Sequence, residues 1–320
     1  MTEPAPTPFV RPDVATFLAY LNNLPGPRTY EMTPAQARAA MLAMSDVADL
    51  PKGELAVRRD VTIPGPAGPI AARLFDARET RAPGPAVVFY HGGGWVVGDV
   101  DTHASFTAEM ARQLDLPVIS VDYRLAPEAP FPAAVEDAEA AARWVAGSPA
   151  ELGLAVTGLV TSGDSAGGNL AIVVAAALRD APAAVPVIVQ APIYPATDAT
   201  RDYASFAAFC DGYLLTRETM GWFGGHYRPV ADDPRFSPLV GEVEGMPRAV
   251  IVAAGLDPLR DQGRAYAAAL ALAGVPVTYQ EAAGNIHGFI TLRRAIPSSQ
   301  QDVAAFLLAV KAAVLAAAVP

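Results

Sequence analysis

The chain has one cysteine, Cys210, in 320 residues, so no disulfide can form within it, and no cysteine or histidine cluster has the spacing of a metal site. Cys210 is expected to be a small, half-buried side chain. Lysine is almost as scarce: Lys52 and Lys311 are the only two, and 23 basic residues face 33 acidic ones for a net charge of −10. Without a basic run, binding to nucleic acid or to an anionic membrane surface is not expected. The apolar tail from Val303 to Val319 has Lys311 inside it and reads as a terminal helix packed on a sheet, so no membrane span is expected. The opening Met1-Thr2-Glu3-Pro4-Ala5-Pro6 lacks the basic start and apolar core of a secretory signal, which points to the cytoplasm. Glycine and proline, 26 and 30 residues, fall short of the share that marks disorder, and no internal repeat or low-complexity block is present.

What is present is an alternation of strand and helix signals. Helical spacing covers Asp13 to Leu21, and Thr33-Pro34 opens a second helix with a cap residue and an N1 proline. Leu55 to Phe75, broken by Pro64, Gly65, Pro66 and Gly68, reads as an antiparallel hairpin. Strand signals at 85–90, 117–122, 158–162, 186–191, 248–254 and 276–281 alternate with helical stretches such as Ala133 to Ala146. Such alternation predicts an α/β fold, a mostly parallel central sheet covered by helices on both faces. Residues 199–245 break the alternation with Phe206, Phe209, Tyr213, Met220, Trp222, Phe223 and Tyr227. An aromatic insertion of that kind either walls a pocket or fills a small core of its own. The expected division is 1–50 as N-terminal cap helices, 51–198 and 246–320 as the catalytic domain, and 199–245 as a cap insertion.

Four segments carry chemistry. Gly163-Asp164-Ser165-Ala166-Gly167 lies between an apolar strand and a small-residue helix from Gly168 to Leu178, where a sharp turn would expose the serine hydroxyl. A serine needs a base, and donors for the oxyanion it creates. His91-Gly92-Gly93-Gly94-Trp95 follows the strand ending at Tyr90, and its glycines leave backbone N–H groups unshielded; a flexible turn is the plainer alternative. Of the four histidines, at 91, 103, 226 and 287, His287 stands latest, in the turn-rich Gly284-Asn285-Ile286-His287-Gly288-Phe289, and is the expected base, with His226 as the alternative. The carboxylate nearest a strand end before it is Asp257; Asp261 and Asp198 compete, and Asp257 could instead cap a helix before Pro258. Serine, aspartate, histidine is the chain order of α/β-hydrolases.

With Asp122-Tyr123-Arg124-Leu125-Ala126-Pro127-Glu128, Gly163 to Ala171, Asp257 to Asp261, and His287-Gly288-Phe289 added to the glycine loop, the chain resembles bacterial esterases of the hormone-sensitive lipase family, the branch whose serine turn reads Gly-Asp-Ser-Ala-Gly. The resemblance implies Ser165 as nucleophile, His287 as base, Asp257 as its orienter, and the N–H groups of Gly93, Gly94 and Ala166 as the oxyanion hole. It also implies that His91 and Gly92 support that loop and that Tyr123 to Glu128 is scaffold. The implied activity is hydrolysis of short- to medium-chain carboxylic esters through an acyl-enzyme, without a cofactor, on a small-molecule ester as partner. An amidase, a lactonase or another acyl-transfer enzyme would use the same triad, and a non-catalytic ligand receptor would have lost its base. Assembly, a homodimer included, is left open by the sequence.

Overall fold

In the computed structural model, which describes residues 8–317, the sequence folds around one sheet of eight strands in the order β1-β2-β4-β3-β5-β6-β7-β8. The readings made of Met1 to Pro6 and of the last residues of the tail lie outside the described part. β1 (Val57–Gly65) and β2 (Gly68–Asp76) form the expected antiparallel hairpin, and β2 runs antiparallel to β4 (Val118–Asp122). From β4 onward every pairing is parallel, through β3 (Gly84–Tyr90), β5 (Val156–Asp164), β6 (Val187–Ile193), β7 (Arg248–Leu256) and β8 (Val277–Ile286). β3, β5, β6 and β7 are almost wholly buried, which is why they read as continuous apolar runs rather than alternating ones.

Helices cover both faces. α4 (Ala133–Ala146) and α5 (Ala166–Asp180) pack one side, joining Val88, Tyr90 and Leu159 in one core. α3 (Ala104–Leu114) and the C-terminal α9 (Ser299–Ala317) cover the other, with Phe106, Phe306 and Val310 against Phe89, Val160 and Val189. α9 is long and apolar enough to cross a membrane by length and composition alone; here Val303, Phe306, Leu307, Val310 and Val314 are buried on α3 and the sheet, and Leu308 and Leu315 are exposed. α8 (Arg260–Leu272) lies between β7 and β8. The chain steps from β3 to its neighbour β4 on one side and then to β5 on the other, so the carboxyl ends of β3 and β5 open a crevice at a topological switch point.

Two of the element ends that differ from the sequence reading bear on the site. The helix after the serine starts at Ala166, not Gly168, because the strand runs on to Asp164 and leaves one residue for the turn. β8 extends to Ile286, so Gly284 to Ile286 is strand rather than turn; Gly284 sits at φ 72° and Leu256 pairs with Ile286 across an irregular step.

The N-terminal helices lie at the crevice end. α1 (Pro12–Asn22) buries Val14, Phe17 and Leu18 with Ile286 and Leu292. α2 (Pro34–Ala48) begins at the cap expected of Thr33, whose hydroxyl accepts the Gln36 N–H at 3.3 Å. Arg38 of α2 donates to the carbonyls of Val96 and Ala126 and to Glu128, which it holds far down, at about 2. Asp49, at the end of α2, pairs through both oxygens with Arg293 at 2.8 Å, and both side chains are buried. The segment between β6 and β7 carries α6 (Ala204–Phe209) and α7 (Arg217–Tyr227). Cys210, expected to be half-buried, is buried, with the Arg217 guanidinium 3.2 Å from its sulfur.

A buried ion pair broken on one side leaves an uncompensated charge. Arg293→Met is therefore expected to lower unfolding free energy by about 3–5 kcal/mol in urea denaturation. Arg293→Met with Asp49→Leu is expected to recover most of that loss.

Candidate active site

Ser165 occupies the single residue between β5 and α5 at φ 55°, ψ −115°, a region that a side chain enters only when its surroundings force it. The forcing groups are neighbouring backbones. A Cβ on Gly167 would overlap the carbonyl of Tyr90, and one on Gly163 would overlap the carbonyls of Tyr90 and Gly167. Glycine at these two positions lets the first turn of α5 lie directly on the end of β3. The Ser165 N–H donates to Ile193 O at 2.9 Å, fixing the turn against β6.

The hydroxyl so exposed meets His287, 122 residues further on, with His287 Nε2 2.9 Å from Ser165 Oγ. His287 Nδ1 lies 2.7 Å from Asp257 Oδ2. Asp257 follows β7 directly and is fully buried; its other oxygen accepts the Leu259 N–H at 2.8 Å, so the carboxylate both meets the ring and ties down the turn into α8. The helix-capping alternative does not form: the N-cap of α8 is Leu259, with no side-chain cap bond, and the second Asp257 oxygen serves the turn before it. The Tyr194 ring packs on His287 with centroids 4.6 Å apart.

The competing candidates have other partners. Asp261 accepts the Ser205 N–H and pairs with Arg260 and Arg264. Asp198 is bound by Thr200, Arg201 and Tyr203. His226, at the end of α7, stands edge-on to Trp222. Asn285 is buried, its amide bonding Ser299 and Asp302 of α9 and so fastening the strand that delivers His287.

The glycine loop follows β3. Gly93 sits at φ 120°, and a Cβ there would overlap Val97 O; its carbonyl is turned away to accept the N–H groups of Val96 and Val97. The N–H groups of Gly93 and Gly94 donate to no acceptor among the described residues, and Ala166 opens α5, where backbone N–H groups lack intrahelical partners. His91 is buried, stacks on Tyr123 at 4.3 Å, and meets Gly92 O through Nδ1 at 2.8 Å. Tyr123 donates to His91 O at 2.7 Å, which places this part of the Tyr123 to Glu128 segment directly under the loop. Burial, with His103 close by, pushes the His91 ring down to about 4.

Two cavities meet at Ser165. One of about 130 Å³ is lined by Trp95, Ala166, Leu215, Met220, Phe223 and Tyr227 among others. The other, of about 800 Å³, includes His287, Gly93, Phe17, Met41, Met44 and Leu214. Phe223 of α7 lines both and crowds Gly94. Trp95 stacks on Tyr227 at 4.6 Å, nearly parallel, so the glycine loop and α7 share a wall. Sequence reasoning named Phe223 and Tyr227 only as members of an aromatic segment. It expected the N-terminal helices as part of a cap but gave no role to His103 or Tyr194, because each reaches the site by tertiary packing rather than by a motif.

A family model described as the α/β hydrolase fold matches residues 87–291. The chain belongs to this α/β-hydrolase family. Among curated relatives it is 43% identical over 266 residues to the carboxylic ester hydrolase LipN of Mycobacterium tuberculosis, covering 80% of this chain and 70% of that one. It is 38% identical over 259 residues to esterase LipI of the same organism, covering 79% and 81%. Among solved structures it resembles LAE6, an α/β-hydrolase enzyme from the metagenome of Lake Arreo, with a TM-score of 0.89 and 36% identity over 95% of this chain and 98% of that one. These relatives agree with the hormone-sensitive lipase resemblance drawn from the motifs.

The depressed His91 ring has a consequence for stability. Its folded-state value near 4 lies below the ordinary histidine value of 6.5, so the unfolded chain takes up the proton first as pH falls. Stability from this group is complete above about pH 6.5 and drains away towards about pH 4. Between about pH 7 and 5 the wild type is expected to lose about 2 kcal/mol more than His91→Asn, measured by urea unfolding at both pH values.

Proposed function

We propose that this chain hydrolyses small-molecule carboxylic esters through an acyl-enzyme on Ser165. The observation that carries the reading is the unbroken series Asp257 Oδ2, His287 Nδ1, His287 Nε2, Ser165 Oγ, at 2.7 and 2.9 Å. A ring held with Nδ1–H towards a carboxylate leaves Nε2 bare to take the hydroxyl proton. Ser165 Oγ then attacks the ester carbonyl, and the charge that develops on its oxygen is assigned to the N–H groups of Gly93, Gly94 and Ala166. His91 and Gly92 act as supports of that loop. The intermediate collapses as His287 Nε2–H gives its proton to the alkoxide, the alcohol leaves, and water attacks the acyl group by the same steps in reverse. These steps call for no cofactor.

Proton delivery also sorts the two cavities. The leaving alcohol must lie within reach of His287 Nε2, so it belongs in the larger cavity, which His287 lines. The acyl group then enters the cavity of about 130 Å³, which lacks His287 and is almost entirely apolar. A cavity of about 150 Å³ accommodates a molecule the size of benzene, so the space favours short to medium acyl chains. Residues 1–50 and 199–245 are read as a cap over the catalytic domain formed by 51–198 and 246–320, because α1, α2 and α7 all close these cavities. A cytoplasmic setting, without a nucleic-acid or membrane partner, remains the reading that the acidic balance and the lone cysteine support.

Wild type is expected to turn over p-nitrophenyl acetate and butyrate, Ser165→Ala to lose about a millionfold in kcat, and Asp257→Asn about ten-thousandfold. Binding without turnover by wild type would instead mark a receptor. In a series of acyl lengths, turnover is expected to be fastest at about eight carbons or fewer and to move to longer acids in Phe223→Ala; a wild-type preference for long triglycerides would overturn the cavity assignment.

A further inference from the structure

His103 and Asp164 are buried, and the reaction above uses neither. His103 directly precedes α3, and its Nε2 stands 3.1 Å from Asp164 Oδ1, a charge contact rather than a well-aligned hydrogen bond. Nδ1 meets Thr102 Oγ1 at 2.9 Å, and that hydroxyl also lies 2.8 Å from Asp99 O. The hydroxyl can accept from a ring N–H, or donate to a bare ring nitrogen by giving up the Asp99 carbonyl, so Nδ1 finds a partner in either form. Nε2 has no such freedom. A bare nitrogen 3.1 Å from a carboxylate oxygen would be repelled by it, so Nε2 holds a proton.

Asp164 passes the constraint on. Its Oδ1 accepts the Gly92 N–H at 2.8 Å, while His91 Nδ1 meets the Gly92 carbonyl at 2.8 Å, so Gly92 is gripped at both polar groups. Burial works against charge on His103, yet the Asp164 carboxylate outweighs it and raises the ring above its ordinary value. Burial likewise opposes charge on Asp164, and His103 with the Gly92 N–H holds it below the ordinary carboxylate range.

We propose that His103 is a positioning residue whose Nε2 proton pins the Asp164 carboxylate, and that the pinned carboxylate holds Gly92 and the oxyanion loop in place. The proposal rests on the ester-hydrolase reading. Without His103 the buried carboxylate keeps only the Gly92 N–H and a long bond, 3.4 Å, from the Tyr194 hydroxyl; it then protonates or turns away, and Gly92 loses a charge-assisted acceptor one peptide before Gly93. A displacement of about an ångström in such a loop is worth about a hundredfold in rate.

The test compares His103→Leu, which fills the space without a donor, with His103→Gln, whose amide carries a donor to about the reach of Nε2. His103→Leu is expected to lose about tenfold to a hundredfold in kcat with KM changed by less than about threefold, and His103→Gln to recover most of the loss. Unchanged kcat in His103→Leu, or equal loss in both variants, would overturn the proposal. If His103→Leu does not fold, nitrogen NMR of histidine-labelled wild type decides: Nε2 of His103 protonated at about pH 7 supports it, and a bare Nε2 overturns it. Ser165→Ala runs alongside. Turnover surviving there removes the ester-hydrolase reading itself, whereas its loss together with full kcat in His103→Leu removes only the role of His103.

Discussion

A backbone forced out of its comfortable range at Ser165 is the constraint on which this molecule depends. The residue holds φ 55° because β5, α5 and the end of β3 leave no other path, and the close approach of Gly163 and Gly167 to the Tyr90 carbonyl makes that packing feasible. The same approach sets the glycine loop beside the serine, since His91 directly continues β3. Elbow and loop are therefore one packing event, and neither would hold its geometry without the other.

Around that centre, carboxylates and amides tie neighbouring segments together. Asp257 divides its oxygens between His287 and the Leu259 N–H, and Asn285 fastens the end of β8 to α9. On the opposite flank of the serine, Asp164 divides its contacts among Gly92, His103 and Tyr194. Two carboxylates thus border the elbow, one after β7 and one before the serine itself, each facing a histidine. Buried charges persist only when paired in this way, and the pairing leaves little freedom for the backbone that carries them.

The walls of the two cavities come largely from the N-terminal helices and from the segment between β6 and β7. α2 is secured by Arg38 to the loop carbonyls of Val96 and Ala126 and by Asp49 to Arg293, so the helices over the crevice are tied to the glycine loop and to the segment after His287. Phe223, standing between the cavities, relates the position of α7 to the space on each side of Ser165.

The alternation of buried strands and helices, the antiparallel hairpin and the serine, aspartate, histidine order were legible in the sequence because each is local: a run of apolar residues, a turn, a short motif. Where β8 ends was not, since Gly284-Asn285-Ile286 has turn residues and only pairing with β7 keeps it extended. Nor could local pattern choose between the two readings of Asp257, or find His103, whose partner lies 61 residues away in the chain. The sequence by itself determined the fold class and the side chains able to do the chemistry, because periodicity and motif spacing are written along the chain. Tertiary structure alone decided which histidine meets which carboxylate and how much room lies on each side of the serine, because those depend on distances between segments that sequence separation does not encode.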